Sequence, residues 1–199
     1  MSDFIHLHNH SDYSLLDAAQ TVEMMCNRVY DLGMDSIAIT EHGNLFSMIP
    51  FYKASLKAGI KPIIGCEIYV AVNKHTDKKL FTNDLGKRKN YHHLVLLAMN
   101  QQGYKNLLSL VSIGYLNGFY YRPRVDKDLL KEFNEGLIAT SACLAGEVTS
   151  YAAIGNYEKA KEAAISYQNI FSNRFYLELQ NHQIEEEKAS HEILKKLSN

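Results

Sequence analysis

Phe4-Ile-His-Leu-His-Asn-His10 runs directly into Ser11-Asp-Tyr-Ser-Leu-Leu-Asp17, and the first seven of these residues alternate histidine with other side chains. The pattern predicts a strand running out to its end, and alternate strand residues project to the same face. His6, His8 and His10 are therefore expected to present three imidazoles on one side. Protonated rings crowded in this way would repel one another. The arrangement makes chemical sense when their neutral nitrogens face a cation, with Asp17 following as a hard oxygen ligand. A hydrogen-bonded polar strand end is the plainer alternative for this stretch taken alone.

Working outward, the 199 residues are 46% hydrophobic and 22% charged, enough to bury a core as one domain or as part of a larger protein. The net charge of -1 advertises neither nucleic acid nor membrane, so any nucleic-acid contact must be local. Cys26, Cys66 and Cys143 stand far apart, with no CxxC pair and no even count. They are expected as reduced thiols of a cytoplasmic protein. No signal-peptide pattern is present, and no run approaches the ~20 apolar residues of a membrane span, so no membrane partner is expected.

Strand-like and helix-like segments alternate along the chain, which predicts an α/β architecture with a mostly parallel sheet. Thr21 is placed to cap a helix with apolar positions Val22, Met25, Cys26, Val29 and Leu32, ended by Gly33. A buried strand is expected at 36–40, a helix at 44–58 stopped by Gly59, and a third strand at 61–72. Residues 73–91 form a polar loop with Lys74, Lys78, Lys79, Lys87, Arg88 and Lys89 against Asp77 and Asp84, net +4 by that count. A strand at 93–99, a helix at 101–115 burying Leu107, Leu108 and Val111, and a short helix at 126–133 come next. A strand at 136–141, helices near 146–154 and 157–171, a strand at 175–180 and a helix at 184–197 complete the expected order.

Polar residues gather where these strands end. The first ends in His8 and His10, the second in Thr40-Glu41-His42-Gly43, the third runs into Gly65-Cys66-Glu67, the fifth into Ser141-Ala-Cys143, and the last into Gln180-Asn-His182. Carboxyl ends of strands are where α/β folds build sites, because the strand holds a side chain rigidly while the following loop varies. His93 is the exception, since Tyr91-His-His-Leu-Val-Leu-Leu puts it at a strand start. For it to join the others, its strand must run against its neighbours or approach the rim another way, and His92 beside it is expected to point to the opposite face.

Taken together, His8-x-His10, Ser14-x-x-Asp17, Thr40-x-His42-Gly43-Asn44-Leu45, Pro62-x-Ile64-Gly65-x-Glu67, His93-Leu94 and Gly136-Leu137-Ile138-x-x-Ser141-x-Cys143-Leu144 resemble the polymerase and histidinol phosphatase (PHP) domain. More narrowly they resemble the version at the N-terminus of bacterial replicative DNA polymerase III alpha subunits, over essentially the whole of residues 1–199. Gly118-Phe-Tyr, Arg122-Pro-Arg124 and Leu179-Gln-Asn-His182 add to the likeness. The resemblance implies a distorted, TIM-like barrel of seven βα units with up to three divalent metals, zinc or manganese, that hydrolyse phosphoesters.

Carried over position by position, the resemblance implies that His8 and His10 hold one metal and Glu67 bridges it to a second. His93 and Cys143 would complete the second, and Asp17 with His42 would hold the third. A thiolate at Cys143 would favour zinc or another soft ion. Glu41 and His182 are expected beside the ligands rather than among them. The family's last motif, Asp-x-His on a seventh strand, has no counterpart before Asn199, so the chain is expected to be a fragment of a larger subunit lacking the closing βα unit, and nearly inactive by itself.

No Gly-rich nucleotide loop and no Ser-His-Asp or Cys-His nucleophile pattern is present. Lys78, Lys79, Lys87, Arg88, Lys89, Arg122 and Arg124 are candidates for guiding a phosphate backbone, with Tyr120 or Tyr121 able to stack on an unpaired base. Three functional readings follow from the resemblance. The domain belongs to a replicative polymerase that copies DNA, partnered by primer-template DNA and by replicase subunits including a proofreading exonuclease, and cleaves phosphoesters at 3' ends or in pyrophosphate. Alternatively it is a metal-stabilised docking platform of that polymerase, or a free-standing phosphatase of the histidinol-phosphate kind.

Overall fold

The structure is a computed structural model and describes residues 4–15, 17–82 and 88–198, with backbone alone at 88 and 89. In chain order the elements are α1 (Val22–Asp31), β1 (Ser36–Ile39), α2 (Met48–Ala58), β2 (Lys61–Ala71), β3 (Phe81–Thr82), β4 (Arg88–Lys89), β5 (Tyr91–Ala98), α3 (Gln101–Leu116), β6 (Arg124–Val125), α4 (Lys127–Glu132), β7 (Leu137–Thr140), α5 (Glu147–Ala153), α6 (Tyr157–Phe171), a 3-10 turn (Ser172–Arg174), β8 (Phe175–Tyr176) and α7 (Glu185–Leu197).

The main sheet is ordered β1-β2-β5-β7-β8, with β6 beside β2. Parallel pairing joins β1 to β2, β2 to β6 and β7 to β8, whereas β5 is antiparallel to both β2 and β7. All strands of the sheet but β5 therefore share one direction. The expected mostly parallel sheet is present with a single reversed member at its centre, and that reversal is one of the two ways in which His93 was expected to reach the other site residues. Nothing among the described residues pairs β1 with β8, so the sheet is open between them.

Helix boundaries follow local chemistry. Thr21 accepts a hydrogen bond from Met24 N, and α1 buries Val22, Met25, Cys26 and Val29 against Ile37, Ile39 and Phe51. Leu32, expected on that face, is its C-cap and 46% exposed, because the helix ends before the next inward turn. The helix expected from Asn44 starts instead at Met48. Asn44 spends its side-chain oxygen on Phe46 N and its amide on the His42 carbonyl, a local turn that competes with helix. Gly59 closes α2 in the left-handed conformation that favours glycine. On α3, Leu107 and Leu110 are buried while Leu108, expected inside, is half-exposed, since 107 and 110 are the pair three apart that faces the sheet.

The first predicted strand is the main departure. Residues 4–10 lie along β1 without forming a ladder: Ala38 N donates to His6 O and Thr40 N to Asn9 O, a step of two residues on one side and three on the other. One extra residue is accommodated, as in a bulge, and strict alternation is lost. His6 is exposed, with its ring against Phe4, and does not share a face with His8 and His10. Thr40 and Asn9 knit the segment down through their side chains. The strand expected at 175–180 is likewise only two residues long, after which the chain is held by Ser141 Oγ accepting from Glu178 N.

The loop after β2 is pinned rather than free at its start. Asp126, the N-cap of α4, accepts from Leu129 N and also from the backbone N and the Nδ1 of His75, the last at 2.6 Å. Burial alone would raise the Asp126 carboxyl, but these hydrogen bonds outweigh it and hold it below the usual aspartate range. A depressed folded-state value gives stability that is present above the unfolded value, about pH 4, and is lost as pH falls through the folded one. Asp126→Asn should therefore lower stability at pH 7 by about 1–3 kcal/mol. The gap to wild type should close in more acid solution, as read by urea denaturation at both pH values.

Candidate metal centre

Glu67 is the hub. It is fully buried in β2, opposite Val95 of β5 and bridged by backbone to His42. Around its carboxylate stand His8 Nε2 at 3.4 Å, His10 Nε2 at 3.6 Å, His42 Nδ1 at 2.6 Å, His93 Nδ1 at 2.9 Å and Cys143 Sγ at 3.5 Å. These groups arrive from four parts of the chain. His8 and His10 come from the N-terminal segment and His42 from the end of β1. His93 comes from the start of the reversed β5, with its backbone N on Ala145 O, and Cys143 from the loop after β7. Asp17, half-exposed, lies 2.9 Å from His42 Nε2.

Three sets of ligand atoms fall within 4.8 Å of one another: His8, His10 and Glu67; His10, Asp17 and His42; His42, Glu67 and His93. Cys143 Sγ is also 3.7 Å from His93 Nδ1. The donors fit divalent metals, because several converge without satisfying one another. His42 Nδ1 and Glu67 Oε2 are close in space but not aligned as a hydrogen bond, and both, like His10 Nδ1, are buried without a hydrogen-bond partner. Polar atoms left so in a protein interior are costly unless something else engages them. Nitrogen, carboxylate oxygen and sulfur in one cluster suit zinc and its neighbours.

The charges are strongly coupled. Burial would raise the Glu67 carboxyl, but the imidazoles of His42, His8 and His93 more than reverse this and hold it far below the carboxylate range. Burial would lower His8, but Glu178 and Glu67 on either side raise it to about 10. His10, buried and facing His42, falls to about 4, and burial pushes the Cys143 thiol up to about 12. A metal bound at Cys143 would therefore have to displace a tightly held proton.

Other expected residues fall differently. Glu41 is buried and accepts from Ser11 N, Ser11 Oγ and Ser14 Oγ, so it shapes the loop leading to Asp17 and stays out of the ligand sets. His182 turns away: its ring pairs with Glu187 of α7 and is 69% exposed, because Gln183 takes a left-handed turn that reverses the chain there. His92 is on the opposite face from His93, with its ring near Tyr151.

Arg124, expected at a nucleic-acid surface, is buried and donates to the carbonyls of Gly118, His75 and Asp77, with its guanidinium over Tyr120. The neighbouring cation is the one that stays available. Arg122 is exposed, sits over the Tyr69 ring and pairs with Tyr91. Lys78 and Lys79 are exposed, Lys87 lies outside the described residues, and at Arg88 and Lys89 only the β4 backbone is described. Lys74 is engaged by Asp128.

Arg122 lines an open cleft of about 630 Å³ that also contains Asp17, His42 and His93 and is walled by Phe46, Phe119 and Tyr121. Gly43 makes room for it. Its φ is +63°, and a Cβ there would meet the Tyr69 ring at 2.7 Å. Glu178 was not anticipated. It contacts His8 directly, and the signal was available in Phe175-Tyr-Leu-Glu-Leu-Gln180, where a carboxylate stands between two leucines at the same parity as Gln180.

The PHP domain family model matches residues 6–182. The chain belongs to the PHP domain family. As a PHP domain it is 51% identical over 197 residues to the DNA polymerase III subunit alpha of Borreliella burgdorferi, covering 99% of this chain and 17% of that relative. It is 45% identical over 205 residues to the subunit of that name from Helicobacter pylori, covering 98% of this chain and 16% of the relative. The PHP domain thus spans about a sixth of the length of these curated relatives. A solved structure of a putative metal-dependent phosphoesterase from Bifidobacterium adolescentis aligns with 99% of this chain and 85% of its own, at 11% identity and a TM-score of 0.47. No helix among the described residues is long and apolar enough to cross a membrane.

Proposed function

We propose that residues 1–199 are a PHP domain serving a DNA polymerase III alpha-type subunit, and that its metal centre hydrolyses phosphoesters. The observation that carries this reading is the convergence of His8, His10, Asp17, His42, Glu67 and His93 into overlapping ligand sets around one buried carboxylate. His8, His10 and Glu67 would hold one zinc or manganese, Glu67, His93 and Cys143 a second, and Asp17 with His42 a third. When bound, such ions lower the pKa of water and polarise a phosphoryl oxygen, so no nucleophilic side chain is needed.

The chain's own residues supply the rest. Glu67 and the imidazoles would hold such ions in place, because they are anchored in several strands and loops packed together. Arg122, exposed beside Asp17, His42 and His93, would grip a phosphate, while Phe46, Phe119 and Tyr121 offer faces for stacking. This combination favours the end of a single-stranded nucleic acid over pyrophosphate, which has nothing to stack. The parent subunit would copy DNA in the cytoplasm, with primer-template DNA and further replicase subunits, a proofreading exonuclease among them, as partners. Lys78 and Lys79 remain available to guide the strand electrostatically.

The test is hydrolysis of a single-stranded oligonucleotide by the intact subunit supplied with zinc or manganese. His10→Ala should reduce the rate by about 100-fold or more, since small displacements of reacting groups carry factors of that size. DNA synthesis by the same preparation should be retained. A fully metallated, polymerising subunit that cleaves no phosphoester would overturn the proposal and leave the docking platform as the better reading.

A further inference from the structure

We propose that Glu178 is a positioning residue of the metal centre, acting through His8. The inference rests on the metal-binding reading of the cluster and extends it to a residue outside every ligand set. Glu178 Oε1 is 2.7 Å from His8 Nδ1, on the side of the ring away from Glu67, while His8 Nε2 faces Glu67 at 3.4 Å. The carboxylate is itself held at two further points and the residue's backbone at a third. Thr140 Oγ1 donates to Oε2 at 2.5 Å, Gln180 Nε2 donates to Oε1 at 2.7 Å, and the Glu178 backbone N donates to Ser141 Oγ at 2.8 Å. Thr140 ends β7 and Ser141 follows it, and β7 pairs with β8 just before Glu178, so the carboxylate is mounted on the sheet rather than on a loose loop.

Glu178 Oε1 and Gln180 Nε2, the latter at 3.1 Å, both lie at Nδ1, so Nε2 is the ring nitrogen turned toward Glu67 and the cluster. With Nδ1–H donated to a fixed carboxylate, Nε2 is the nitrogen left for coordination once an incoming cation displaces its proton, and the ring plane is locked. His8 needs such a support because it projects from a segment that has no strand ladder of its own. A carboxylate on the far nitrogen also increases the basicity of the ligating one, and removing such partners generally weakens metal binding by 10–100-fold.

The experiment uses the full chain, zinc as the probe and competition against a chromogenic chelator, with His8→Ala, Glu178→Gln, Thr140→Val and the His8→Ala, Glu178→Gln pair. Gln keeps the shape of Glu178 and removes its charge. Glu178→Gln is expected to weaken zinc binding by about 10-fold or more, and Thr140→Val by less in the same direction. In the His8→Ala background the Glu178→Gln change should have no further effect, because the two act as one unit.

A Glu178→Gln loss that persists undiminished in the His8→Ala background would overturn the proposal, as the effect would then be general to the fold. Unchanged affinity in Glu178→Gln alongside a loss in His8→Ala would also overturn it while leaving the metal reading intact. Unchanged affinity in both would remove the metal reading and the proposal with it. Should Glu178→Gln fail to fold, the loss in Thr140→Val and its disappearance on His8→Ala carry the same decision.

Discussion

Replacing Glu67 by Gln should abolish metal loading and destabilise the metal-free protein. Its carboxylate lies within 3.6 Å of four imidazoles and a thiol, and it is buried completely. Among the described residues, no other buried carboxylate belongs to two of the candidate metal sets. With an amide in its place one oxygen remains and the charge is gone, so both sets that share it lose their anionic ligand. Elemental analysis of chelator-free wild type should show bound transition metal, and Glu67→Gln should show essentially none. In chelator, the variant should also be less stable by about 3–5 kcal/mol, the usual cost of removing one partner from a buried charge cluster. Urea denaturation reads this directly. Wild-type metal content in Glu67→Gln would mean that the cations, where present, sit elsewhere.

The second large effect is expected at Arg124, and it is an effect on folding. Arg124 holds three carbonyls, two of which belong to the loop after β2, and its side chain is enclosed. Arg124→Ala leaves those carbonyls without their donor and opens a cavity, at a cost above about 3 kcal/mol. For a chain of this length that corresponds to a fall in melting temperature of roughly 6 °C or more. Arg122→Ala, only two positions away, should leave the melting temperature within about 2 °C, because its side chain is exposed, and should instead weaken single-stranded oligonucleotide binding. If the two variants exchanged these phenotypes, the assignment of one arginine to the interior and the other to the cleft would be wrong.

Periodicity and capping chemistry were enough to place nearly every helix, because the signals are local. Thr21 caps α1, Gly59 stops α2, and Asp126 starts α4 through side-chain or backbone contacts spanning at most five residues. The residues that gather around Glu67 were equally legible as candidates, since histidines, glutamate and cysteine at strand ends have little structural reason to recur there. His93 could be read only conditionally, as its place in the centre depended on the direction of its strand.

What sequence determined here is the inventory: an alternating α/β chain and a set of metal-ligating side chains at strand ends. Tertiary structure decided which of them meet. The reversal of β5 brings His93 to Glu67, the unequal backbone step beside β1 sends His6 out of the cluster, and the turn at Gln183 sends His182 to α7. Of two arginines in one short motif, one is interior and the other lines the cleft, and Glu178 joins His8 across 170 positions. The physical reason is that pairing direction and register, and the partners available to a buried charge, are set by contacts between segments remote in the chain. Side-chain spacing carries no record of those contacts.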